Sequence, residues 1–176
     1  MASQRQQSSA ANISFSKICL TTDFSKNAAA ALPYAVTLAR QFNGEISLVH
    51  VFDGMYLYEA AVEAEEGEFP NPAHWLDPIY KRLEVRIKEL AVEYAKRENV
   101  SFTPVLLTGH AVDQIVEFLN VNRMDCLVIA THGRKGISHA LYGSIAESLV
   151  RLSPLPVITI RPARLPAEKS SKIKRS

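Results

Sequence analysis

Residues 126–162 read CLVIATHGRKGISHALYGSIAESLVRLSPLPVITIRP, and this stretch decides the fold class. It begins with one continuous apolar run, at 126–130, and ends with another, at 157–160. Runs of this length and composition are typical of strands covered on both faces. Between them lie a glycine-bearing loop and a segment of helical period that Pro154 and Pro156 bring to an end. The stretch therefore predicts a strand, a loop, a helix and a second strand parallel to the first.

The rest of the chain repeats this alternation. We predict three further strands, at 18–22, 46–52 and 102–107. Four groups of apolar residues at helical spacing predict four helices. In chain order the groups are Leu32, Val36, Ala39 and Phe42; Ile79, Leu83, Ile87, Leu90 and Tyr94; Val112, Ile115, Val116 and Leu119; and Ile145, Leu149 and Leu152. This order predicts a fold of the α/β class. We expect a five-stranded parallel sheet with helices on both faces, a Rossmann-like or flavodoxin-like three-layer sandwich.

Local signals predict where two of the helices begin and how one connection behaves. Asp77 followed by Pro78 suits the cap and the first position of the second helix. Pro33 either kinks the first helix or marks its start, and Gly44 lies where that helix should stop. The connection at 53–77 is acidic and has no Lys or Arg. A connection of this length is a functional lid or a mobile insertion, and we favour the insertion.

The composition is that of one ordinary globular domain. The chain has 176 residues, with 20 Lys and Arg against 18 Asp and Glu, and 47% of its residues are apolar. A domain of this size buries roughly two thirds of the surface that its unfolded chain exposes, so it needs no disulfide or metal to fold. We expect a single domain at 17–162, between a disordered polar tail at 1–16 and a disordered basic tail at 163–176.

Charge and hydropathy argue against nucleic-acid and membrane partners. The cations that make the net charge positive cluster in the last 16 residues, whereas a nucleic-acid-binding fold carries them on a groove-facing element. No apolar run approaches the ~20 residues that cross a bilayer, and the start of the chain lacks the pattern of a signal peptide. We therefore expect a cytoplasmic protein.

The cysteines and most of the histidines are expected to be structural or solvated. Cys19 and Cys126 lie inside apolar runs and have no companion at metal-ligand spacing, so we predict buried, reduced thiols. His50 falls within a strand and is expected to be a satisfied core imidazole. Three further histidines are expected to be solvated polar residues: His74, His110 and His139.

Ligands of open α/β sheets bind outside the carboxyl ends of the strands, where the strand order reverses. The fourth strand is followed by a loop with two glycines and two basic residues, and the loop enters a helix at Gly143 and Ser144. Exposed amides at a helix start, together with the positive end of the helix dipole, suit a phosphate. The alternative is a turn with an ordinary cap. We favour phosphate binding because these features converge at one strand end.

Asp23 follows the first strand and has two possible roles. A carboxylate at this position accepts hydrogen bonds from the two hydroxyls of a ribose, or it caps the first helix together with Ser25. Position alone favours the cap.

Three segments of the chain resemble the universal stress protein family: KICLTTDFS at 17–25, SLVHV at 47–51 and the segment at 130–162. The similarity spans the body of the chain, and the last segment is the most specific part. The resemblance implies a sheet of order 3-2-1-4-5, a homodimer and, as in many members of the family, ATP binding. Edge strand 157–160 is where we expect a second copy to add.

The family's nucleotide pattern, G-x2-G-x9-G-[ST], fits this sequence from Gly133 to Gly143 and Ser144, with Ala130 in the first glycine slot. By resemblance, Asp23 holds the ribose, Val51 meets the adenine through its backbone, and the glycines, the serine and the following amide hold phosphates. The methyl of Ala130 is harmless if its φ is negative and obstructs the ligand if the site needs a bare Cα. The candidate nucleotide residues are Thr22, Asp23, Val51, Ala130, His132, Gly133, Gly143, Ser144 and Ile145.

No motif in the sequence specifies an enzyme. There is no Walker A loop, no G-x-S-x-G and no H-E-x-x-H, and His132 at the candidate site has no positioned partner. We expect ATP with Mg²⁺, or Mn²⁺, carried on its phosphates, and Asp23 could approach that ion.

The leading hypothesis is a dimeric ATP-binding stress or regulatory module. The alternatives are a nucleotide-independent dimeric interaction protein of the same family and a weak ATPase or self-phosphorylating protein. A flavodoxin-like electron carrier has less support.

Overall fold

The computed structural model describes residues 13–55, 59, 72–131 and 143–162, and of residues 72–75 only the backbone. Several predictions lie outside these ranges: most of both tails, most of the acidic connection, His132, Gly133 and His139, and the side chain of His74. The strands are β1 (Lys17–Thr21), β2 (Glu45–Phe52), β3 (Phe102–Thr108), β4 (Cys126–Ala130) and β5 (Val157–Ile160). The helices with both ends in the described ranges are α1 (Lys26–Ala29), α2 (Leu32–Phe42), α3 (Pro72–Glu98), α4 (Ala111–Val121) and α5 (Ser144–Leu152).

The five strands form one parallel sheet of order β3-β2-β1-β4-β5. The predicted fold class and strand order are confirmed. β1 lies at the centre, and Leu20 of β1 pairs with Leu48 on one side and Val128 on the other. The chain leaves β1 toward β2 and later returns to its other side as β4, so the strand order reverses between β1 and β4. A ligand crevice is expected at the carboxyl ends of these two strands.

Helices cover both faces of the sheet and define two cores. Ile18 and Leu20 point into the core formed with α2 and α3, where Val36 and Ile87 are buried. Cys19, between them in sequence, points into the second core, which also contains buried residues of α4 and α5. Successive side chains of a strand alternate between its faces, so a fully apolar strand serves both cores. This explains the continuous apolar runs in the sequence.

Both cysteines are buried free thiols, as predicted. Burial raises the pKa of Cys19 and, together with the negative charge of neighbouring Asp125, raises the pKa of Cys126 to about 11. Because the thiolate is the reactive species, both thiols are inert near neutral pH.

The predicted start of α3 at Asp77 is wrong. The helix begins at Pro72 and contains Pro78. Pro78 lies beyond the first turn, so it removes the backbone donor that would bond the carbonyl four residues earlier. In the added part of the helix, the side chain of Leu76 packs near Gly54, which follows β2: a Cβ at Gly54 would lie 3.2 Å from Leu76 Cδ1. Although α3 has 27 residues, neither it nor another helix in the described ranges combines the length and apolar character that a membrane span requires.

The ends of α2 follow the sequence signals. Pro33 occupies the first turn, so the alternative in which the helix begins at this proline is the one observed. Asn43 ends the helix in the left-handed conformation with φ 50°, and Gly44 donates its N–H to the carbonyl of Ala39 at 2.8 Å. The predicted stop near Gly44 is therefore confirmed.

Candidate functional site

A tight turn at 22–25 ends β1 and begins α1. The N–H of Thr22 donates to the carbonyl of Val49 at 2.9 Å and so continues the pairing with β2. The Thr22 hydroxyl accepts the N–H of Phe24 at 3.0 Å. Phe24 has φ 62°, a left-handed conformation that bulky residues rarely adopt. Side-chain hydrogen bonds and an unusual backbone angle therefore fix this turn.

The structure shows which residue caps α1. Ser25 is the N-cap of α1, and its hydroxyl accepts the N–H of Ala28 at 3.1 Å. The Oδ1 atom of Asp23 accepts the N–H of Ser25 at 2.9 Å, which ties the carboxylate to the turn. Asp23 is half-buried. Its carboxylate is thus held at the carboxyl edge of β1, and it supports the cap without being the cap itself.

The ring of Phe24 contacts side chains from two other elements. Its centroid lies 4.5 Å from the centroid of the His50 ring and 4.4 Å from the guanidinium carbon of Arg86 on α3. His50 Nδ1 lies 2.8 Å from the carbonyl oxygen of Thr22. Because a carbonyl only accepts, Nδ1 carries the proton in this contact. His50 is therefore a satisfied, half-buried imidazole, as predicted, and it braces the turn at 22–25.

β2 continues past the end of β1 at this edge. Thr21 is the last β1 residue paired with β2, opposite Val49, and β2 runs on through Val51 to Phe52. The backbone of Val51 therefore borders the turn that carries Asp23. Its side chain is half-buried against the core of α4 and α5.

The end of β4 is closed by an unusually tight contact. The N–H of Gly143 donates to the carbonyl of Thr131 at 2.6 Å, and Thr131, which is only 3% exposed, donates to the carbonyl of Ile160 at 2.9 Å. A Cβ at Gly143 would lie 2.7 Å from the Thr131 oxygen. Gly143 has φ −63°, so lack of space and not backbone angle requires glycine. The contact joins the two residues that flank residues 132–142.

α5 begins at this contact and presents its amino terminus to the same edge. Gly143 is the N-cap, and its carbonyl accepts the N–H of Glu147 at 3.0 Å. The amides of Ser144 and Ile145 follow in the first turn, where helix geometry supplies no acceptor, and both residues are exposed. The amide of Gly143 itself is used by Thr131. An anion at this terminus would therefore be held by the amides after Gly143.

Ala130 fits the edge without strain. It pairs with Ile160 as the last residue of β4 and has the extended backbone of a strand. Its φ is therefore not positive, and the backbone requires no glycine at this position.

The carboxyl edge thus brings together most of the candidate residues, because β1, β2 and β4 are neighbours and α1 contacts β4. Those within the described ranges are Thr22, Asp23, Val51, Ala130, Gly143, Ser144 and Ile145. The metal-binding amino acids of the described ranges form no group of three that could hold an ion.

Two residues at this edge were missed by the sequence reasoning. Phe24 stands in the T-D-F-S segment, but nothing in the sequence signals its left-handed backbone. Arg86 lies on the exposed side of α3, and the helical pattern marks it only as a solvated residue. Their contact depends on how α3 packs across the sheet, which no local pattern encodes.

A cleft of about 370 Å³ lies on the α3 side of the turn. Its walls come from the turn, α1 and α3, and its lining residues are Thr22, Phe24, Ser25, Lys26, Ala29, Arg86, Glu89, Leu90, Glu93 and Tyr94. The rim carries two cations and two carboxylates, so its field has no single sign.

Comparison with known proteins agrees with this five-stranded α/β architecture. The profile of the universal stress protein family matches residues 14–161. The chain belongs to this family.

Among its relatives, universal stress protein YxiE of Bacillus subtilis is 28% identical over 152 residues, covering 84% of this chain and 99% of YxiE. Universal stress protein MJ0531 of Methanocaldococcus jannaschii is 25% identical over 147 residues, covering 84% and 82% of the two chains.

Solved structures share the fold. The structure of MJ0577 has a TM-score of 0.69 and 19% identity, covering 86% of this chain and 99% of that one. A universal stress protein in complex with cAMP has a TM-score of 0.55 and 19% identity, covering 84% and 97%. A universal stress protein from Archaeoglobus fulgidus in complex with dAMP has a TM-score of 0.56 and 20% identity, covering 82% and 96%.

Proposed function

We propose that this protein is a nucleotide-binding regulatory module that takes ATP at the carboxyl edge of β1 and β4. One observation carries the proposal: the first turn of α5 and the carboxylate of Asp23 border the point where the strand order reverses. Donors at a helix start suit phosphate, and a carboxylate suits the hydroxyls of a sugar. Related proteins of the same fold in complex with cAMP and dAMP support a nucleotide as the ligand class.

In the proposed complex each part of the nucleotide has its own partner. The amides of Ser144 and Ile145 hold phosphate oxygens, with Gly133 and His132 contributing from the loop. The carboxylate of Asp23 accepts the ribose hydroxyls beside Thr22. Adenine lies against the β2 backbone at Val51 and beside Ala130. Mg²⁺ or Mn²⁺ arrives bound to the phosphates, because no cluster of ligands in the described part of the chain would hold it alone.

Calorimetric titration with MgATP tests the proposal, with Asp23→Asn as the informative variant. Asparagine keeps an oxygen for the Ser25 amide and removes the charge that would accept the ribose hydroxyls. We expect the affinity for MgATP to fall about 10-fold or more. Asp113→Asn is the matched control, since Asp113 is an exposed carboxylate on α4 that pairs with His110 at 3.2 Å. No binding by the unmodified protein at millimolar MgATP would refute the proposal.

We also propose that two copies pair through β5. β5 is an edge strand, and Ile145, Val150 and Leu152 on the adjacent α5 are large apolar residues that are 44%, 52% and 57% exposed. An open strand edge beside exposed apolar side chains suits a second copy of the same chain. A dimer that forms without nucleotide would favour the interaction-protein hypothesis.

Thr159→Pro tests this pairing because Thr159 faces away from β4. The carbonyls of Pro156 and Ile160 accept bonds from β4 residues at 2.9 Å, so in a parallel ladder the backbone groups of Thr159 point to the open side. Proline there removes an outward donor and leaves the internal ladder intact. We expect a monomeric mass by light scattering, while Thr159→Val stays dimeric. An unchanged mass for Thr159→Pro would contradict pairing through this edge.

A further inference from the structure

We propose that Arg86 of α3 is a positioning residue that sets selectivity for the ribose hydroxyls, acting on Asp23 through the ring of Phe24. The inference deepens the proposed function and rests on it. Arg86 itself contacts Phe24 and not the proposed ligand, so its effect must pass through the turn at 22–25.

The first step is the backbone of Phe24. In the described ranges the other non-glycine residues with positive φ are Asn43, Asn99 and Arg123, and each directly follows a helix or its cap. Left-handed residues are common at such helix ends. Phe24, at φ 62°, lies instead between a strand and a helix and is bulky. A residue of this kind keeps such a conformation only when the surrounding structure holds it there.

The second step is what holds the ring. His50 lies 4.5 Å away at an interplanar angle of 56°, and it is tied to the turn through the Thr22 carbonyl. The guanidinium carbon of Arg86 lies 4.4 Å from the ring centroid, within the range of a cation–π interaction. The ring of Phe24 thus contacts β2 through His50 and α3 through Arg86. Loss of either anchor leaves the left-handed backbone less supported.

The third step is that, within the described ranges, the ring of Phe24 is the partner that the Arg86 guanidinium contacts. Glu89 and Glu93 line the same cleft, yet within the part of the chain that the structure describes Arg86 forms no ion pair with them. Glu93 is instead bound by Arg97 at 3.2 Å. Removing the Arg86 charge therefore removes the ring contact without leaving a paired carboxylate behind.

The fourth step joins the ring to the carboxylate. Phe24 stands between Asp23 and Ser25, and the bond from Ser25 N–H to Asp23 Oδ1 at 2.9 Å spans it. A change in the φ of Phe24 rotates the peptide units on both sides and redirects the carboxylate. The first-turn amides of α5 belong to another element across the crevice. The ribose contact should therefore weaken while the phosphate contact is preserved.

The test compares MgATP with 2′,3′-dideoxy-ATP, which lacks both hydroxyls, by calorimetric titration of the full chain. We expect the unmodified protein to prefer MgATP. Arg86→Met, which keeps the length of the side chain but not its charge, should reduce that preference about 2- to 5-fold and leave the affinity for the dideoxy nucleotide unchanged. Arg86→Lys should retain the preference because lysine also forms cation–π contacts. Arg82→Met, an exposed change one turn earlier on α3, is the matched control.

The outcomes separate the two proposals. If the unmodified protein binds neither nucleotide, the proposed function and this inference both fail. If it binds both equally, phosphate binding stands and the ribose role of Asp23 and Arg86 is refuted. A third outcome overturns only this inference. The unmodified protein prefers MgATP, and Arg86→Met either keeps the same preference or lowers the affinity for both nucleotides by the same factor. Thermal unfolding of each variant verifies that it is folded.

Discussion

The amino and carboxyl edges of the sheet, where the strands begin and end, differ in how their polar groups are bonded. At the amino edge the chain satisfies its own polar groups: the Oδ2 atom of Asp125 accepts the Ser16 hydroxyl at 2.9 Å and the N–H of Lys17 at 2.8 Å. The backbone carbonyl of Ser16 accepts the N–H of Glu45 at 2.7 Å. At the carboxyl edge the corresponding positions are a strained turn at Phe24 and a helix start at Gly143.

This difference indicates a division of labour between stability and binding. Groups that are already bonded to their own chain contribute to the free energy of unfolding, whereas the amides of a helix start have no partner within the helix and can bind a ligand. Each edge also contains one glycine that a backbone approaches closely. The two glycines allow the comparison to be tested by the same substitution.

The largest effect is expected from Gly44→Ala at the amino edge. An added Cβ would lie 2.5, 2.7 and 2.8 Å from the oxygen, Cα and carbonyl carbon of Ser16, all backbone atoms that cannot rotate away. We expect the free energy of unfolding to fall by about 3 kcal/mol, as measured by urea denaturation. Gly54→Ala is the control, because its close neighbours at 3.1 to 3.3 Å are side-chain atoms. Weaker MgATP binding by the folded Gly44 variant would break the proposed division.

Gly143→Ala should have a smaller effect on stability but should also reduce binding. Its Cβ meets one backbone atom, the Thr131 oxygen, at 2.7 Å. We expect a loss of about 1–2 kcal/mol in the free energy of unfolding, because the clash is with a single atom. The same displacement moves the start of α5, so the affinity for MgATP should fall in the same sample. Unchanged affinity would mean that this glycine serves only the fold.

Asp125→Ala should have the smallest effect and should alter a pKa as well. Loss of the bonds to Ser16 and Lys17 is expected to cost about 1 kcal/mol in the free energy of unfolding, with nucleotide affinity unchanged. The carboxylate also helps to raise the pKa of Cys126 to about 11, so the variant should lower that pKa. The ultraviolet absorbance of the thiolate, measured against pH in the folded protein, follows this change.

The free energy of unfolding should depend on pH, because the pKa of Cys126 differs between the folded and the unfolded chain. The folded pKa of Cys126 lies above the value of about 8.5 expected for an unfolded cysteine. The stability contributed by the protonated thiol is therefore complete below about pH 8.5 and is lost as the pH rises through about 11. In Asp125→Ala the loss should begin at the same pH, because the unfolded pKa is unchanged, but it should end at lower pH and be smaller in total. A loss of the same size and end point would show that burial alone sets the folded pKa.

The fold was predicted well because its signals are local. Strands covered on both faces read as continuous apolar runs, and 126–130 and 157–160 were found with their observed bounds. The start of α3 was missed because Asp77 and Pro78 imitate a helix start, whereas the helix reaches back to Pro72 and the side chain of Leu76 packs near Gly54. That contact joins residues from different elements, so helix signals could not reveal it.

By itself the sequence determined the order of the elements, the burial of both faces of the sheet, and the candidate residues at the strand ends, because hydrophobic period and turn chemistry act between near neighbours. Only the tertiary structure decided that Gly143 is required by the carbonyl of Thr131, that Ser25 is the cap beside Asp23, and that Arg86 reaches Phe24. Each of these depends on the distance between atoms whose relative position is set by chain packing, and packing distances are not written in any single segment.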